Sequence, residues 1–147
     1  MTQRVLVTGA SGFLGGAVVQ RLAASDRGVP IAGCRRSVPV PEGADLAVTP
    51  SLVPDADWSG ALQGVEGVVH SAARVQVMDE DAADLLAEYR RVNVEGTLTL
   101  ARQAAQAGVR RFVFVSSIKV NGEQTAPGKA FSAADPHQRS LRATTYY

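Results

Sequence analysis

Three glycines lie three residues apart near the start of the chain, within the segment TGASGFLG at residues 8–15; they are Gly9, Gly12 and Gly15. An apolar run at residues 5–7 precedes this segment and is typical of a buried strand, and apolar residues recur at helical spacing over residues 13–24. Between a strand and a helix, the first glycine permits a tight turn, the second admits a phosphate against the backbone, and the third lets the helix pack closely. The spacing therefore predicts a pyrophosphate at the helix N-terminus, where unpaired N–H groups favour an anion. The alternative is a strand–helix turn that binds no ligand.

The rest of the chain alternates strand-like and helix-like segments. The predicted strands are residues 5–7, 29–34, 44–48, 65–71 and 111–117, and the predicted helices are residues 13–24, 58–63 and 79–107. Because near-continuous apolar strands alternate with helices, the pattern predicts the α/β class, with a doubly wound parallel sheet of about five strands covered on both faces. No clear periodicity follows Gly122, and no repeat or second domain is predicted.

The composition restricts the class of protein further. The chain has 147 residues, 46% of them hydrophobic, and its 15 Lys and Arg nearly balance its 14 Asp and Glu, for a net charge of +1. This balance argues against disorder, against a nucleic-acid partner and against a polybasic membrane anchor. The single cysteine, Cys34, excludes a disulfide framework, and with only His70 and His137 beside it no metal site is predicted. No apolar stretch is long enough to cross a bilayer, so a cytoplasmic location is expected.

Several blocks of sequence resemble, in order, those of the extended short-chain dehydrogenase/reductases, specifically the NAD-dependent epimerase/dehydratase branch. Besides the glycine turn, the blocks are VVHSAA at residues 68–73, RVNVEGT at 91–97, FVFVSS at 112–117 and VNG at 120–122. The ordered set is far more specific than any single block. The resemblance implies a Rossmann fold over residues 1–135 that binds NAD(P), and a small-molecule substrate such as a nucleotide sugar.

By this resemblance, the dinucleotide contacts three of the blocks. The residues implied are Ser11, Phe13 and Leu14 together with the three glycines, then Ala72 and Ala73, and finally Asn93. The turn would bind largely through its backbone, and the two alanines would lie beside the adenosine or its ribose. Asn93 would face the cofactor from the long helix. Alternatively, its amide pins neighbouring backbone, because a buried asparagine must find hydrogen-bond partners.

Two further polar residues end predicted strands. Ser117 matches the family's catalytic serine or threonine, whose hydroxyl hydrogen-bonds the substrate oxygen that gains or loses a proton. The alternative for Ser117 is a strand-end serine that satisfies local backbone. His70 ends an apolar strand with no triad partner nearby in the sequence, so we predict a hydrogen-bonded structural histidine rather than a general base.

Arg35 and Arg36 predict NADP as the cofactor, with NAD as the alternative. An NAD-specific site places a carboxylate at the end of the second strand, and by alignment with the family that place holds Arg35. Two guanidinium groups suit a 2′-phosphate, which they can bind bidentately. The alternative is a solvated arginine pair that follows a strand.

One expected motif is missing from the sequence. The family requires a tyrosine with a lysine four residues later, and by family spacing the pair should fall near Ala143 and Tyr147. The segment 136–147 also loses the family's character. We therefore expect an irregular tail left by a truncated gene or a shifted reading frame, and a fold that lacks the family's C-terminal part.

These features together favour the NAD(P)-binding domain of a nucleotide-sugar epimerase, dehydratase or reductase that is inactive as this chain. Two alternatives stay open: a non-catalytic module that senses redox state through the dinucleotide, and an inert fragment. Since the family's sheet continues past its fifth strand, an exposed edge at residues 111–117 also predicts self-association.

Overall fold

Five parallel strands form a single sheet in the computed structural model, which describes residues 3–74, 82–122 and 124–135. In chain order the strands are β1 (Arg4–Thr8), β2 (Val29–Cys34), β3 (Asp45–Val48), β4 (Gly67–His70) and β5 (Arg111–Phe114). Their order across the sheet is β3-β2-β1-β4-β5. The chain moves outward from β1 on one side and returns to the other side of β1 with β4. The direction of winding therefore reverses between β1 and β4, where the carboxyl ends of the strands leave a crevice.

Helices cover both faces of this sheet. They are α1 (Phe13–Ala23), α2 (Ala82–Tyr89), a π-helical segment (Arg90–Gly96) and α3 (Thr97–Gln106), followed after β5 by one short 3₁₀ turn (Ile118–Asn121). From α2 through α3 the chain is continuously helical. Within the described ranges, no helix combines the length and the apolar character needed to cross a bilayer.

On one face, α1 packs on the centre of the sheet. Val19 of the helix lies in a buried cluster with Val7 and Ala32 from the two central strands. The helix begins directly after Gly12 and ends at Ala23, so its N-terminus stands at the carboxyl edge of β1.

On the opposite face, α3 and the segment before β4 form the larger core. Leu100 and Ala104 pack with Trp58 and Leu62 against β1, β2 and β4. The Gln103 amide fastens this segment to the helix: its Oε1 accepts from the Trp58 N–H at 2.7 Å, and its Nε2 donates to the Ala56 carbonyl at 2.8 Å. The helix that carries Asn93 is thereby held at a fixed position on the sheet.

The predicted architecture is confirmed, and several local predictions differ from the structure. The helix predicted at residues 58–63 is wrong: Leu62 N–H bonds to the Trp58 carbonyl, but the segment forms successive turns and ends at Gly64, whose φ is +69°. The fourth and fifth strands are both shorter than predicted and have the bounds Gly67–His70 and Arg111–Phe114. The long helix contains a π-helical segment, and its predicted beginning at residues 79–81 lies outside the described residues.

Candidate functional site

The glycine turn joins β1 to α1 in a space too small for side chains. Gly9 has φ +69°, and a Cβ on it would lie 2.9 Å from the Ala72 nitrogen. A Cβ on Gly15 would collide with the Gly9 carbonyl, and the Gly12 N–H donates to that same carbonyl at 2.9 Å. The first and third glycines therefore serve the backbone packing that the spacing predicted.

No side chain caps the N-terminus of α1. Gly12 is the N-cap residue, no side-chain hydrogen bond caps the helix, and no acidic residue stands in its first turn. The first backbone bond of the helix runs from the Gly16 N–H to the Gly12 carbonyl, so the N–H groups of Phe13, Leu14 and Gly15 precede it. Those three donors and the helix dipole make this N-terminus a site that favours an anion.

Ser11 links the glycine turn to the end of β2. Burial raises the pKa of the Cys34 thiol, and hydrogen bonds with Ser11 oppose that shift. Cys34 is a free, buried cysteine and the last residue of its strand. Arg35 and Arg36 follow it directly, and both are exposed to solvent. The two arginines therefore follow a strand whose carboxyl end lies beside the carboxyl end of β1, where the glycine turn begins.

The chain that leaves β4 is bound to the end of β1. The Ser71 hydroxyl donates to the Thr8 carbonyl at 2.7 Å, and the Ala72 N–H donates to Thr8 Oγ1 at 3.2 Å. Ala72 is half-buried beside the glycine turn and Ala73 is exposed. Ala72 thus lies against the glycine turn, and contact of either alanine with a cofactor stays a prediction.

Asn93, which belongs to the π-helical segment, positions the chain that leaves β4. Its Oδ1 accepts from the Arg74 N–H at 2.8 Å, and its Nδ2 donates to the Arg74 carbonyl at 3.0 Å. Both polar atoms of the amide therefore bond the backbone, as the alternative interpretation of this residue predicted. Direct contact of Asn93 with a cofactor stays a prediction.

His70 lies at the end of β4 and is 1% exposed. Its Nδ1 is 2.7 Å from Thr8 Oγ1 and its Nε2 is 2.9 Å from Thr97 Oγ1. Burial lowers the pKa of the ring to about 4, so the imidazole is neutral at pH 7. The prediction of a hydrogen-bonded structural histidine is confirmed. Sequence reasoning missed its two threonine partners, although Thr8 is the last residue of a strand that pairs with β4.

Ser117 stands three residues beyond β5 and caps the 3₁₀ turn. Its Oγ accepts from the Lys119 N–H at 3.3 Å, and the serine is half-buried. In the part of the chain that the structure describes, no acceptor takes the Ser117 hydroxyl proton, which leaves that proton available as a donor. Nearby, Asn121 Nδ2 donates to the Asp135 carbonyl at 3.1 Å and ties the turn to the last described residues.

A parallel sheet with this strand order, a glycine turn at its switch point and an uncapped helix N-terminus together define a Rossmann-type fold. The family model described as the NAD dependent epimerase/dehydratase family matches residues 5–147, and the chain belongs to that family. The fold and the family predicted from the sequence are both confirmed.

Curated relatives include an epimerase and a dehydrogenase. The chain is 39% identical over 137 residues to a UDP-glucose 4-epimerase of Vibrio cholerae, a match that covers 93% of this chain and 42% of that protein. It is 38% identical over 140 residues to a 3-beta-hydroxysteroid dehydrogenase of Mycolicibacterium neoaurum, covering 84% of this chain and 37% of the relative. The chain therefore spans about two fifths of the length of these relatives.

Solved structures agree with this assignment. A short-chain dehydrogenase/reductase superfamily protein from Agrobacterium tumefaciens with bound NAD is 36% identical, with a TM-score of 0.72, and the match covers 92% of this chain and 39% of that one. MoeE5 in complex with UDP-glucose and NAD is 33% identical, with a TM-score of 0.73, covering 92% of this chain and 42% of MoeE5.

Proposed function

We propose that residues 1–135 form the NAD(P)-binding domain of an oxidoreductase or epimerase that acts on a nucleotide sugar in the cytoplasm. The observation that carries the proposal is the uncapped N-terminus of α1, which opens at the switch point of the sheet. Its three leading N–H groups suit the two phosphates of a dinucleotide, and no acidic side chain in the first turn opposes them.

The rest of the crevice suits the same ligand. The small side chains of Ala72 and Ala73 leave room beside the glycine turn, and Asn93 fixes the backbone that follows them. We propose NADP as the preferred cofactor because Arg35 and Arg36 offer two exposed guanidinium groups to a 2′-phosphate.

We propose a secondary hydroxyl or the matching carbonyl of the substrate as the reacting group. A bound nicotinamide would supply the chemistry of hydride exchange. Ser117 would donate a hydrogen bond from its hydroxyl to the substrate oxygen, because the hydroxyl proton has no acceptor among the described residues and the Lys119 N–H orients Oγ. The nucleotide-sugar class rests on the names of two relatives, the UDP-glucose 4-epimerase and the complex of MoeE5 with UDP-glucose.

The 147 residues contain no tyrosine that is followed by a lysine four residues later. We therefore expect this chain by itself to bind the dinucleotide without turnover. That expectation also fits a non-catalytic module that senses redox state, and the two functions differ in whether a polypeptide that also carries the family's tyrosine–lysine pair turns over a nucleotide sugar.

A titration with a matched pair of glycine variants tests dinucleotide binding. A Cβ on Gly12, the N-cap residue of α1, would lie 3.2 Å from the Gly9 carbonyl oxygen. A Cβ on Gly60 meets nothing within 4 Å. We expect Gly12→Ala to weaken binding of NADP at least about tenfold, since it obstructs the approach of a phosphate, and Gly60→Ala to leave it unchanged. Calorimetric titration of the purified chain provides the measurement. Absence of binding by the unaltered chain, or equal binding by both variants, contradicts the proposal.

A further inference from the structure

Three separate elements meet at the buried ring of His70. Thr8 ends β1 immediately before the glycine turn, His70 ends β4, and Thr97 begins α3. Thr8 and His70 are also direct partners in the register of the two strands. The ring therefore connects the turn, the segment after β4 and the long helix through two hydrogen bonds.

The burial of the two hydroxyls decides which ring nitrogen carries the proton. A neutral imidazole has one donor and one acceptor, and Thr8 Oγ1 already accepts from the Ala72 N–H. With the proton on Nε2, the Thr8 hydroxyl donates to Nδ1 and the ring donates to Thr97. With the proton on Nδ1, the Thr8 hydroxyl proton has no acceptor among the described residues, although Thr8 is 1% exposed. Such an orphaned buried donor is costly, whereas half-buried Thr97 can turn its own proton toward water.

We propose that His70 is a positioning residue of the dinucleotide site, fixed as the Nε2–H tautomer in a directed chain that runs from Ala72 N–H through Thr8 and His70 to Thr97. The inference rests on the proposed function for its effect on binding. Through this chain the ring orients the Thr8 hydroxyl that binds the Ala72 N–H, and Ala72 lies directly against the glycine turn. No charged side chain among the described residues bonds to the ring, and its neighbours there include the rings of Phe112 and Phe114.

Nitrogen NMR of the full 147-residue chain tests the tautomer without any ligand. The expected spectrum shows a neutral ring at pH 6 with the proton on Nε2. A predominant Nδ1–H tautomer, or a protonated ring at that pH, overturns the proposal. This measurement stays decisive if a His70 variant fails to fold.

Two substitutions separate positioning from simple packing. His70→Phe keeps a planar apolar ring but removes both bonds, and it is expected to weaken NADP binding about tenfold and to speed hydrogen exchange at the Ala72 amide. His70→Gln retains an acceptor and a donor and is expected to restore most of the affinity. The double variant Thr8→Val, His70→Phe tests whether the two residues act together. Its loss of NADP binding free energy should be smaller than the sum of the losses in the two single variants.

The outcomes distinguish this inference from the proposed function. If the unaltered chain binds no dinucleotide, the proposed function fails, and the tautomer and the Ala72 exchange rate still decide the role of His70. If the unaltered chain binds NADP, and His70→Phe binds equally well with unchanged exchange at Ala72, the positioning role is wrong.

Discussion

Gly9 and Ala72 are in contact across the crevice between β1 and β4, so closely that a Cβ on the glycine would lie 2.9 Å from the alanine nitrogen. The two residues belong to segments that follow adjacent strands, and each segment contributes backbone to the candidate dinucleotide site. The width of the crevice is thus set by a backbone-to-backbone approach that only glycine permits.

Comparing Gly9→Ala with Gly64→Ala measures this approach. Both glycines have φ +69°, but a Cβ on Gly64 meets no atom within 4 Å. Each substitution should cost about 1–2 kcal/mol for the left-handed conformation, and Gly9→Ala about 2 kcal/mol more for the contact with Ala72. Urea denaturation of the three proteins provides the free energies of unfolding. Equal losses for the two variants would contradict the steric role of Gly9.

The burial of His70 predicts an acid-labile fold. The folded-state pKa is lowered from 6.5 to about 4, so between these values the unfolded chain binds a proton that the folded chain excludes. Stability is fully present above pH 6.5 and falls by about 3 kcal/mol as the pH is lowered to 4, with no further loss from this group below that. The difference between the unaltered chain and His70→Gln, measured by denaturation at each pH, isolates the effect from that of the carboxylates. A difference that does not change with pH would show that the ring titrates normally.

Removing the arginine pair should abolish a preference for NADP. We expect the unaltered chain to bind NADP about tenfold or more tightly than NAD, since hydrogen bonds to charged groups are each worth about 1.5–3 kcal/mol. The double variant Arg35→Ala, Arg36→Ala should bind the two cofactors alike. Arg110→Ala is the control, because Arg110 precedes β5, whereas the arginine pair follows β2 on the other side of β1. Tighter binding of NAD by the unaltered chain would refute the assignment.

The exposed edge strand β5 should make the chain self-associate. Val113 and Phe114 are 52% and 55% exposed, and β5 is at the edge of the described sheet. Light scattering over a wide range of concentration should show growth in mass that Val113→Lys suppresses. Val48→Lys is the control, because Val48 is 63% exposed on β3 at the other edge. A constant monomer mass would count against this expectation.

Catalysis by these 147 residues alone is expected to be absent. When the chain is incubated with NADP and a panel of nucleotide sugars, the absorbance of reduced cofactor should stay constant and chromatography should recover each sugar unchanged, because the general acid–base pair of the family is missing, and such groups contribute about 10²–10⁴-fold. In a polypeptide that also carries the family's tyrosine–lysine pair, Ser117→Ala should remove activity while Ser116→Ala, at the exposed neighbouring residue, should retain it. Turnover by the 147 residues that Ser117→Ala abolishes would mean that the acid–base group has been misplaced.

The sequence was sufficient to predict the sheet and the glycine turn because both depend on short-range pattern. Apolar runs located every strand, and β2 was predicted at its exact bounds, Val29–Cys34. The partners of His70 could not be predicted, since Thr8 and Thr97 lie 62 and 27 residues away along the chain. The two hydrogen bonds between the Asn93 amide and the Arg74 backbone are also long-range. Bonding of Asn93 to the backbone was predicted only as one of two alternatives.

Residues 58–63 and the long helix show a second limit of predicting local structure from the sequence. Helical spacing does not reveal that Gly60 and Gly64 favour turns over a second helical turn, nor does it distinguish an α-helix from a π-helix. The tail at residues 136–147 was predicted to be irregular; it lies outside the described residues, although the family match extends through it. Its separation from the domain stays a prediction.

The π-helical segment has a consequence for how this helix tolerates change of length. A π turn holds more residues than an α turn, so the segment behaves as an insertion that the helix absorbs without a break. Deleting one residue from it would restore α geometry and leave the flanking turns close to their present faces, whereas deleting one residue from α3 would rotate one end of the helix against the other by about 100°. We expect the π-helical segment to accept the loss of a single residue more readily than α3 does.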